Sequence, residues 1–259
     1  MTVPFPRPPT TPILGIPVHV LTLPEAVALA VQWLRRGEKT YVCHADARSI
    51  LAARDDPAFR QALADAGFVG ADGMPLVWQQ RWRGLPGGRI YGPDFMEAMM
   101  AHGIAGTAPP LRHFFFGSTP QVLDRLVRRL TDRYPDLRIA GTFSPPMGMW
   151  DEAADQAHRD LINAAQADIV WVSLGAPRQE LWMAHNRTHL QAPLLCGVGA
   201  AFDFLSGAKP QAPRWLRRIG LEWAFRLLSE PRRLAGRYAR TLPRFMALAL
   251  MEDWRRRSR

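Results

Sequence analysis

Apolar residues recur at two spacings along the chain, and the alternation predicts strands and helices in turn. Short apolar, β-branched runs typical of buried strands lie at residues 13–22, 40–45, 68–70, 112–116, 137–141, 168–174 and 194–197. Helical spacing lies between them, at residues 24–36, 46–50, 57–66, 74–82, 95–104, 121–133 and 153–165. Alternating strands and helices predict an α/β fold with a mostly parallel sheet covered by helices on both faces.

The last quarter of the chain has a different pattern, with helices only. These are predicted at residues 213–219, 221–229, 231–241 and 244–257, with large apolar residues between arginines. We therefore expect an N-terminal tail at 1–12, an α/β domain at 13–208 and a helical, arginine-rich appendage at 209–259.

The charge follows the same division. The formal net charge is +10, and residues 207–259 alone hold 14 basic and 4 acidic residues, so the body is neutral. A basic C-terminal quarter predicts an anionic partner.

The composition argues against a disordered, disulfide-rich, zinc-binding, secreted or membrane-spanning protein. The apolar share of 47% is ordinary for a globular chain. Cys43 and Cys196 lie in strand-like runs and are predicted to be buried and reduced, and the seven histidines lack metal-ligand spacing. No signal peptide or spanning apolar run is evident, so a cytoplasmic protein without metal or cofactor is expected.

Asp72 stands where a predicted strand ends and a helix begins, followed by Gly73 and, in the first helical turn, Pro75. Two interpretations are open at this point. Asp72 caps the helix, for which Asp is well suited, or it belongs to a ligand site at the carboxyl edge of the sheet.

Three other strands also end in a glycine turn that enters a helix. With Asp72-Gly73, the set is Gly117-Ser118, Gly175 to Gln179, and Gly199 to Asp203. Backbone N–H groups at such turns favour anions, so four of them predict a nucleotide diphosphate site. The chain has neither an Asp-x-Asp pair nor a P-loop, which favours a site without a metal and excludes P-loop enzymes.

These motifs resemble the WecG/TagA/CpsF glycosyltransferases, which form glycosyltransferase family 26. The matching residues are Ala71-Asp72-Gly73-Met74-Pro75-Leu76-Val77-Trp78, Arg89-x-x-Gly92-x-Asp94, Leu174-Gly175-x-Pro177-x-Gln179-Glu180, Gly197-Val198-Gly199-x-x-Phe202-Asp203 and Gly220-Leu221-Glu222-Trp223-x-x-Arg226-Leu227. The resemblance runs from about Ile13 to Tyr238. It implies a Rossmann-like catalytic body that binds the nucleotide-sugar and a C-terminal appendage that docks at the membrane. It also implies an inverting, metal-independent transfer from a UDP-sugar to a saccharide on a membrane polyprenyl diphosphate.

The resemblance also implies roles for single residues. Asp72 would be the general base that takes the proton from the acceptor hydroxyl. The donor or its nucleotide would contact His44, Asp46, Gly73, Arg89, Asp94, Gly117, Gly175, Gln179, Glu180, Gly199 and Asp203. The acceptor and its diphosphate would contact Arg226, Arg233 and Arg237. The family's Thr-x-Asn is His44-Ala45-Asp46 in this chain, and by pattern alone His44 is a satisfied core histidine.

The sequence therefore predicts a peripheral enzyme on the inner face of the cytoplasmic membrane, acting in bacterial surface or exopolysaccharide assembly. The sugar expected to be transferred is a hexose or N-acetylhexosamine, of the N-acetylmannosamine or glucose type. A homo-oligomer is compatible with the sequence. Two alternatives are a nucleotide-dependent oxidoreductase, which lacks the Gly-x-Gly-x-x-Gly fingerprint, and a nucleic-acid-binding protein that uses the arginines. Tryptophans between those arginines favour a lipid surface, so no nucleic-acid partner is expected.

Overall fold

The structure is a computed structural model that describes residues 8–105, 110–148, 150–218 and 220–258. The strands are β1 (Thr10–Ile13), β2 (Ile16–His19), β3 (Thr40–Ala45), β4 (Phe68–Ala71), β5 (Arg112–Gly117), β6 (Arg138–Phe143), β7 (Ile169–Ser173) and β8 (Leu194–Gly197). The helices before β8 are α1 (Leu23–Arg36), α2 (Ala47–Asp55), α3 (Pro57–Ala64), α4 (Met74–Trp82), α5 (Gly92–Ala105), α6 (Pro120–Arg133), α7 (Glu152–Ala164) and α8 (Arg178–Asn186). Those after it are α9 (Ala201–Leu205), α10 (Arg214–Arg218), α11 (Glu222–Ser229) and α12 (Pro231–Arg257).

Six strands form one sheet in the order β4-β3-β8-β7-β5-β6, and every neighbouring pair is parallel. Alternate side chains of each strand enter two separate hydrophobic cores, as the two-residue period of a strand requires. Tyr41 and Cys43 of β3 pack in one core, whereas Val42 packs in the other. The predicted α/β fold with a Rossmann-like parallel sheet is thus confirmed. Both cysteines are buried and free, as predicted.

The two cores lie beneath different helices. One contains side chains from α1, α5, α6 and α9, and the other contains side chains from α2, α3, α4, α7, α8 and α12. The helices begin and end where the sequence supplies the caps. At α1, for example, the backbone N–H and hydroxyl of Thr22 both donate to Glu25, and Gly37 ends the helix with φ 65°.

The predicted strand at 13–22 is wrong in detail, because the chain forms the antiparallel hairpin β1–β2 there. Leu14 and Gly15 turn the chain between the strands with φ of 51° and 83°. Strand β1 starts at Thr10, inside the predicted tail at 1–12, whose residues 1–7 lie outside the described part of the chain.

The two predicted helices at 231–241 and 244–257 are also wrong in detail, because α12 is continuous and contains Pro243. Proline in a helix removes one backbone hydrogen bond, but packing holds this helix together. Phe245 and Ala249 are buried in the core that includes α2, and Glu252 accepts a hydrogen bond from the N–H of Leu14 at 3.0 Å. The C-terminal helix thus shares the body's core and contacts the N-terminal hairpin.

Candidate functional site

The carboxyl ends of five sheet strands open into one cavity of about 690 Å³. Its lining includes residues at the ends of β3, β4, β5, β7 and β8, together with side chains from α4, α11 and α12. Of the predicted site residues, those that line it are His44, Asp46, Asp72, Gly73, Arg89, Gly175, Gln179, Gly199, Asp203, Arg226 and Arg237. A parallel sheet brings these strand ends together, so residues far apart in sequence meet at one edge.

Asp72 lies on the floor of this cavity, directly after β4. Its N–H donates to the carbonyl of Ala45 at 2.9 Å, and Ile90 N–H donates to the carbonyl of Ala71 at 2.9 Å, which brings Arg89 beside Asp72. The N-cap of α4 is Gly73, which has no side chain with which to cap the helix. The interpretation of Asp72 as a helix cap is therefore wrong.

The carboxyl of Asp72 has a pKa well above that of an exposed aspartate. Burial raises its pKa from 3.8 to about 7, and Arg89 opposes this rise. The carboxylates of Glu222 and Asp46 add to the rise, whereas Arg226 also opposes it. The side chain keeps 27% of its surface exposed and lines the cavity, so a ligand there can reach it. A carboxylate with a pKa near ambient pH suits a general base.

One wall of the cavity comes from the C-terminal helices. Arg89 Nη2 lies 2.7 Å from Glu222 Oε2 and 3.4 Å from Asp72 Oδ1, and Glu222 lies 4.0 Å from Arg226 Nη1. Arg237 of α12 also lines the cavity, whereas the side chain of Arg233 lies outside the described part of the chain. Gly220 allows α11 to approach α4, since a Cβ there would lie 2.7 Å from Met74 Cγ.

His44 is buried at the end of β3 and also lines the cavity. Its Nδ1 lies 2.9 Å from the carbonyl of Gly197, which can only accept, so this nitrogen carries the proton. Burial lowers the pKa of His44 to about 4, so the ring is neutral at pH 7. Asp46, two residues later, caps α2 by accepting from Ser49 N–H at 2.8 Å.

Gln179 is fixed at both ends of its amide. Its Oε1 accepts from Gly199 N–H at 3.1 Å, and its Nε2 donates to Glu180 Oε1 at 2.8 Å. Glu180 is buried behind Gln179 and does not line the cavity, and burial raises the pKa of its carboxyl to about 7. In this arrangement Gln179 faces the cavity and Glu180 orients it.

Two more predicted residues do not line the cavity. Gly117 has φ 119°, and a Cβ there would lie 2.4 Å from the carbonyl oxygen of Ser173, so it allows two strand ends to approach. Asp94 forms an ion pair with Arg217 of α10, and burial raises the pKa of its carboxyl while Arg217 opposes this. Asp94 thus links the body to the C-terminal helices.

A model of the WecG/TagA/CpsF family of glycosyl transferases matches residues 11–259, nearly the whole chain. The chain belongs to this family. It is therefore an enzyme that transfers sugars, and its family acts in cell-surface polysaccharide synthesis. The oxidoreductase alternative is wrong.

Several residues that line the glycosyltransferase cavity were not predicted from sequence. They are mainly at its polar floor and its apolar mouth: Ser173, Tyr91, Glu222, Trp78, Trp223, Tyr238, Thr241, Leu242 and Met246. Glu222, Trp78 and Trp223 stood in family motifs and so carried a signal. The α12 residues carried none, because their place depends on how that helix crosses the sheet edge.

Side chains of the types that bind metal ions form a cluster outside the cavity of this glycosyltransferase. Among the described residues, Glu152, Asp155 and His185 are the one group whose ligand atoms lie within 4.8 Å of one another, and none of them lines the cavity. Asp155 already accepts from Trp182 Nε1 at 2.7 Å and from Asn186 Nδ2 at 3.0 Å. This group is a hydrogen-bonded contact between α7 and α8.

Proposed function

We propose that this glycosyltransferase moves a hexose or N-acetylhexosamine, of the N-acetylmannosamine or glucose type, from a UDP-sugar to a polyprenyl-diphosphate-linked saccharide. The transfer inverts the anomeric centre, needs no metal, and serves cell-surface or exopolysaccharide synthesis. The observation that carries the proposal is the carboxyl of Asp72, with a pKa near 7, in a cavity that glycine turns and arginines surround.

In the proposed reaction Asp72 takes the proton from the acceptor hydroxyl. The acceptor oxygen then attacks the anomeric carbon, and the bond from that carbon to the UDP oxygen breaks. The leaving diphosphate takes the electron pair, and one displacement inverts the centre. Arg226 and Arg237 line the same cavity, and cations placed where negative charge develops lower the barrier without a metal.

The donor would occupy the floor formed by the glycine turns. Gly175 and Gly199 would face its diphosphate, with Gln179 and His44 near its sugar. The acceptor would enter from the mouth, between α4 and α12. Trp78, Trp223 and Met246 are exposed residues that also line the cavity, so the mouth offers apolar surface to a polyprenyl chain.

The same elements support a membrane-facing side. Ten of the twelve well-exposed large apolar side chains in the described part of the chain belong to α4, α10, α11, α12 or the N-cap residue of α11. The tryptophans of α4, Trp78 and Trp82, extend this surface beyond the basic C-terminal segment. None of the described helices is both long and apolar enough to span a bilayer. We propose a peripheral position on the inner face of the cytoplasmic membrane.

The test is transfer onto a synthetic polyprenyl-diphosphate saccharide from a panel of UDP-sugars, measured as UDP release and product mass. Asp72→Asn should lower turnover by about a hundredfold or more and leave UDP binding intact, since the amide has the same size and cannot accept the proton. The matched control is Asp56→Asn, which caps α3 outside the cavity and should retain parental turnover.

Two further measurements belong to this test. The wild-type kcat/KM should fall as pH drops through about 7, because protonated Asp72 cannot act as a base. Turnover should also survive EDTA. A parental rate in Asp72→Asn, or loss in EDTA that magnesium restores, would contradict the proposed mechanism.

A further inference from the structure

We propose that Glu222 of α11 is a positioning residue for the proposed base, because it holds the guanidinium of Arg89 and prevents this cation from pairing fully with Asp72. The inference deepens the proposed function and rests on it. It assigns to the C-terminal helices a part in setting the chemistry of a carboxyl group in the body.

The geometry around Arg89 carries the inference. Its Nη2 is at 2.7 Å from Glu222 Oε2, a normal charge-assisted hydrogen bond, but at 3.4 Å from Asp72 Oδ1. Its Nε donates to the backbone carbonyl of Asp72 rather than to the carboxylate. The ring of Tyr91 lies 4.3 Å from the guanidinium carbon. Arg89 is therefore held on several sides, and of these polar contacts the one with the carboxylate of Asp72 is the longest.

Because these side chains are buried, the way Arg89 divides its contacts between Glu222 and Asp72 affects the pKa of Asp72. Glu222 is almost wholly buried, and the side chain of Arg89 is largely so. An arginine that pairs closely with a buried carboxylate lowers its pKa by about 1–3 units, which would leave a weak base. In this site Glu222 makes the shorter contact with the guanidinium and also presents a second negative charge to Asp72.

Four charged groups face Asp72, from three parts of the chain. Asp46 follows β3, Arg89 lies between α4 and α5, and Glu222 and Arg226 come from α11. Burial raises the pKa of Asp72 most, the two carboxylates add to it, and the two arginines oppose it. Removing Glu222's charge should therefore lower the pKa of Asp72, both directly and by releasing Arg89 toward it.

The test compares Glu222→Gln with the wild type across pH. The amide keeps the size of the side chain but accepts from Arg89 more weakly than a carboxylate does, so it removes the charge and loosens the hold on Arg89. We expect the acid limb of kcat/KM to move down by roughly one pH unit, and the rate on the alkaline plateau to fall several-fold, as for a weaker base. The matched control is Glu230→Gln, which removes the same charge from the same segment outside the cavity and should leave the limb in place.

A second readout does not depend on turnover. Carbon-13 NMR of labelled aspartate carboxyls can follow the titration of Asp72, with its resonance identified by its loss in Asp72→Asn. The titration midpoint should fall by a similar amount in Glu222→Gln and stay in place in Glu230→Gln. If wild-type protein transfers no sugar, the proposed function fails, but this titration still decides the role of Glu222.

Unchanged midpoints in Glu222→Gln, by NMR or by the acid limb, would overturn the inference. If that variant does not fold by circular dichroism, Glu222→Asp decides instead. Its shorter carboxylate lies farther from Arg89, so a smaller shift in the same direction is expected, and no shift would overturn the inference.

Discussion

Two effects of opposite sign act on the carboxyl of Asp72. It lies at the start of α4, where the helix dipole stabilises a negative charge and lowers a carboxyl pKa. Burial in the cavity acts the other way and is larger, since the pKa rises to about 7. Because the sequence alone cannot give the extent of burial, it could not decide between these effects.

This raised pKa predicts how the stability of the protein depends on pH. In the unfolded chain Asp72 ionises near 3.8 and in the folded protein near 7, so stability falls as pH rises through this window. Asp72→Asn should therefore raise Tm by about 3 °C or more at pH 8, and should change it little at pH 4. Thermal unfolding at both pH values measures this, with Asp56→Asn as control. An equal effect at both pH values would contradict the raised pKa.

Gly117 provides a test of backbone packing at the same scale. Its φ is 119°, and an added Cβ would lie 2.4 Å from the backbone oxygen of Ser173, which cannot move aside. Gly117→Ala should thus lower the free energy of unfolding by about 3 kcal/mol or more. The matched control is Gly175→Ala, with φ 77° and nothing within 4 Å of the added carbon, which should cost about 1 kcal/mol. Equal losses in urea unfolding would show that the contact with Ser173 is unimportant.

Elements with a clear period and clear boundary residues were predicted well. The predicted bounds of β3, β8 and α4 coincide with those of the structure. The hairpin was missed because Leu14-Gly15 is a weak turn signal between two apolar runs. The break at Pro243 was predicted from local preference, but the buried Phe245 and Ala249 hold α12 together across it.

The candidate site was predictable where it follows strand ends. The glycine turns and Asp72 meet in one cavity because every neighbouring pair of strands in the large sheet is parallel, which the alternating pattern predicted. The wall from α12, with Tyr238 and Thr241, depends on the path of one helix over the whole molecule, and local spacing does not contain that path. The pairing of Arg89 with Glu222 rather than with Asp72 depends on a difference of less than 1 Å between two nitrogen–oxygen distances, which no sequence pattern specifies.

Helix α12 offers a test of whether the C-terminal segment belongs to the core. Phe245 is fully buried, whereas Leu250, on the same helix, is 47% exposed. Phe245→Ala should lower the free energy of unfolding by about 3–5 kcal/mol, and Leu250→Ala by about 0.5 kcal/mol. Urea unfolding monitored by far-ultraviolet circular dichroism measures both. If Phe245→Ala costs no more than Leu250→Ala, α12 is not part of the core.

For the whole molecule, the uneven charge and the exposed apolar residues predict attachment to an anionic bilayer. Each Lys or Arg close to such a surface contributes about 1 kcal/mol, and this attraction weakens with salt. Protein should float with vesicles of phosphatidylglycerol and phosphatidylcholine at 0.1 M NaCl, and less at 0.5 M.

The apolar part of this binding can be separated by substitution. Replacing Trp215 and Trp254, 63% and 71% exposed, by Ala should reduce flotation roughly tenfold. Leu161→Ala, at an exposed site on α7, is the matched control and should leave flotation unchanged. Retention on DNA without flotation would favour the nucleic-acid alternative.

The order of the large sheet has a consequence for how the chain is synthesised. Strand β8 pairs with β3 on one side and β7 on the other, so it joins two halves that otherwise share no strand pairing. About 150 residues separate β3 from β8, which at about 5–20 residues per second on the ribosome is roughly 8–30 s of translation. During that interval the inner edge of β3 has no neighbour. The nascent chain is therefore most exposed to mispairing and aggregation just before β8 emerges, and at that stage a chaperone would protect it most.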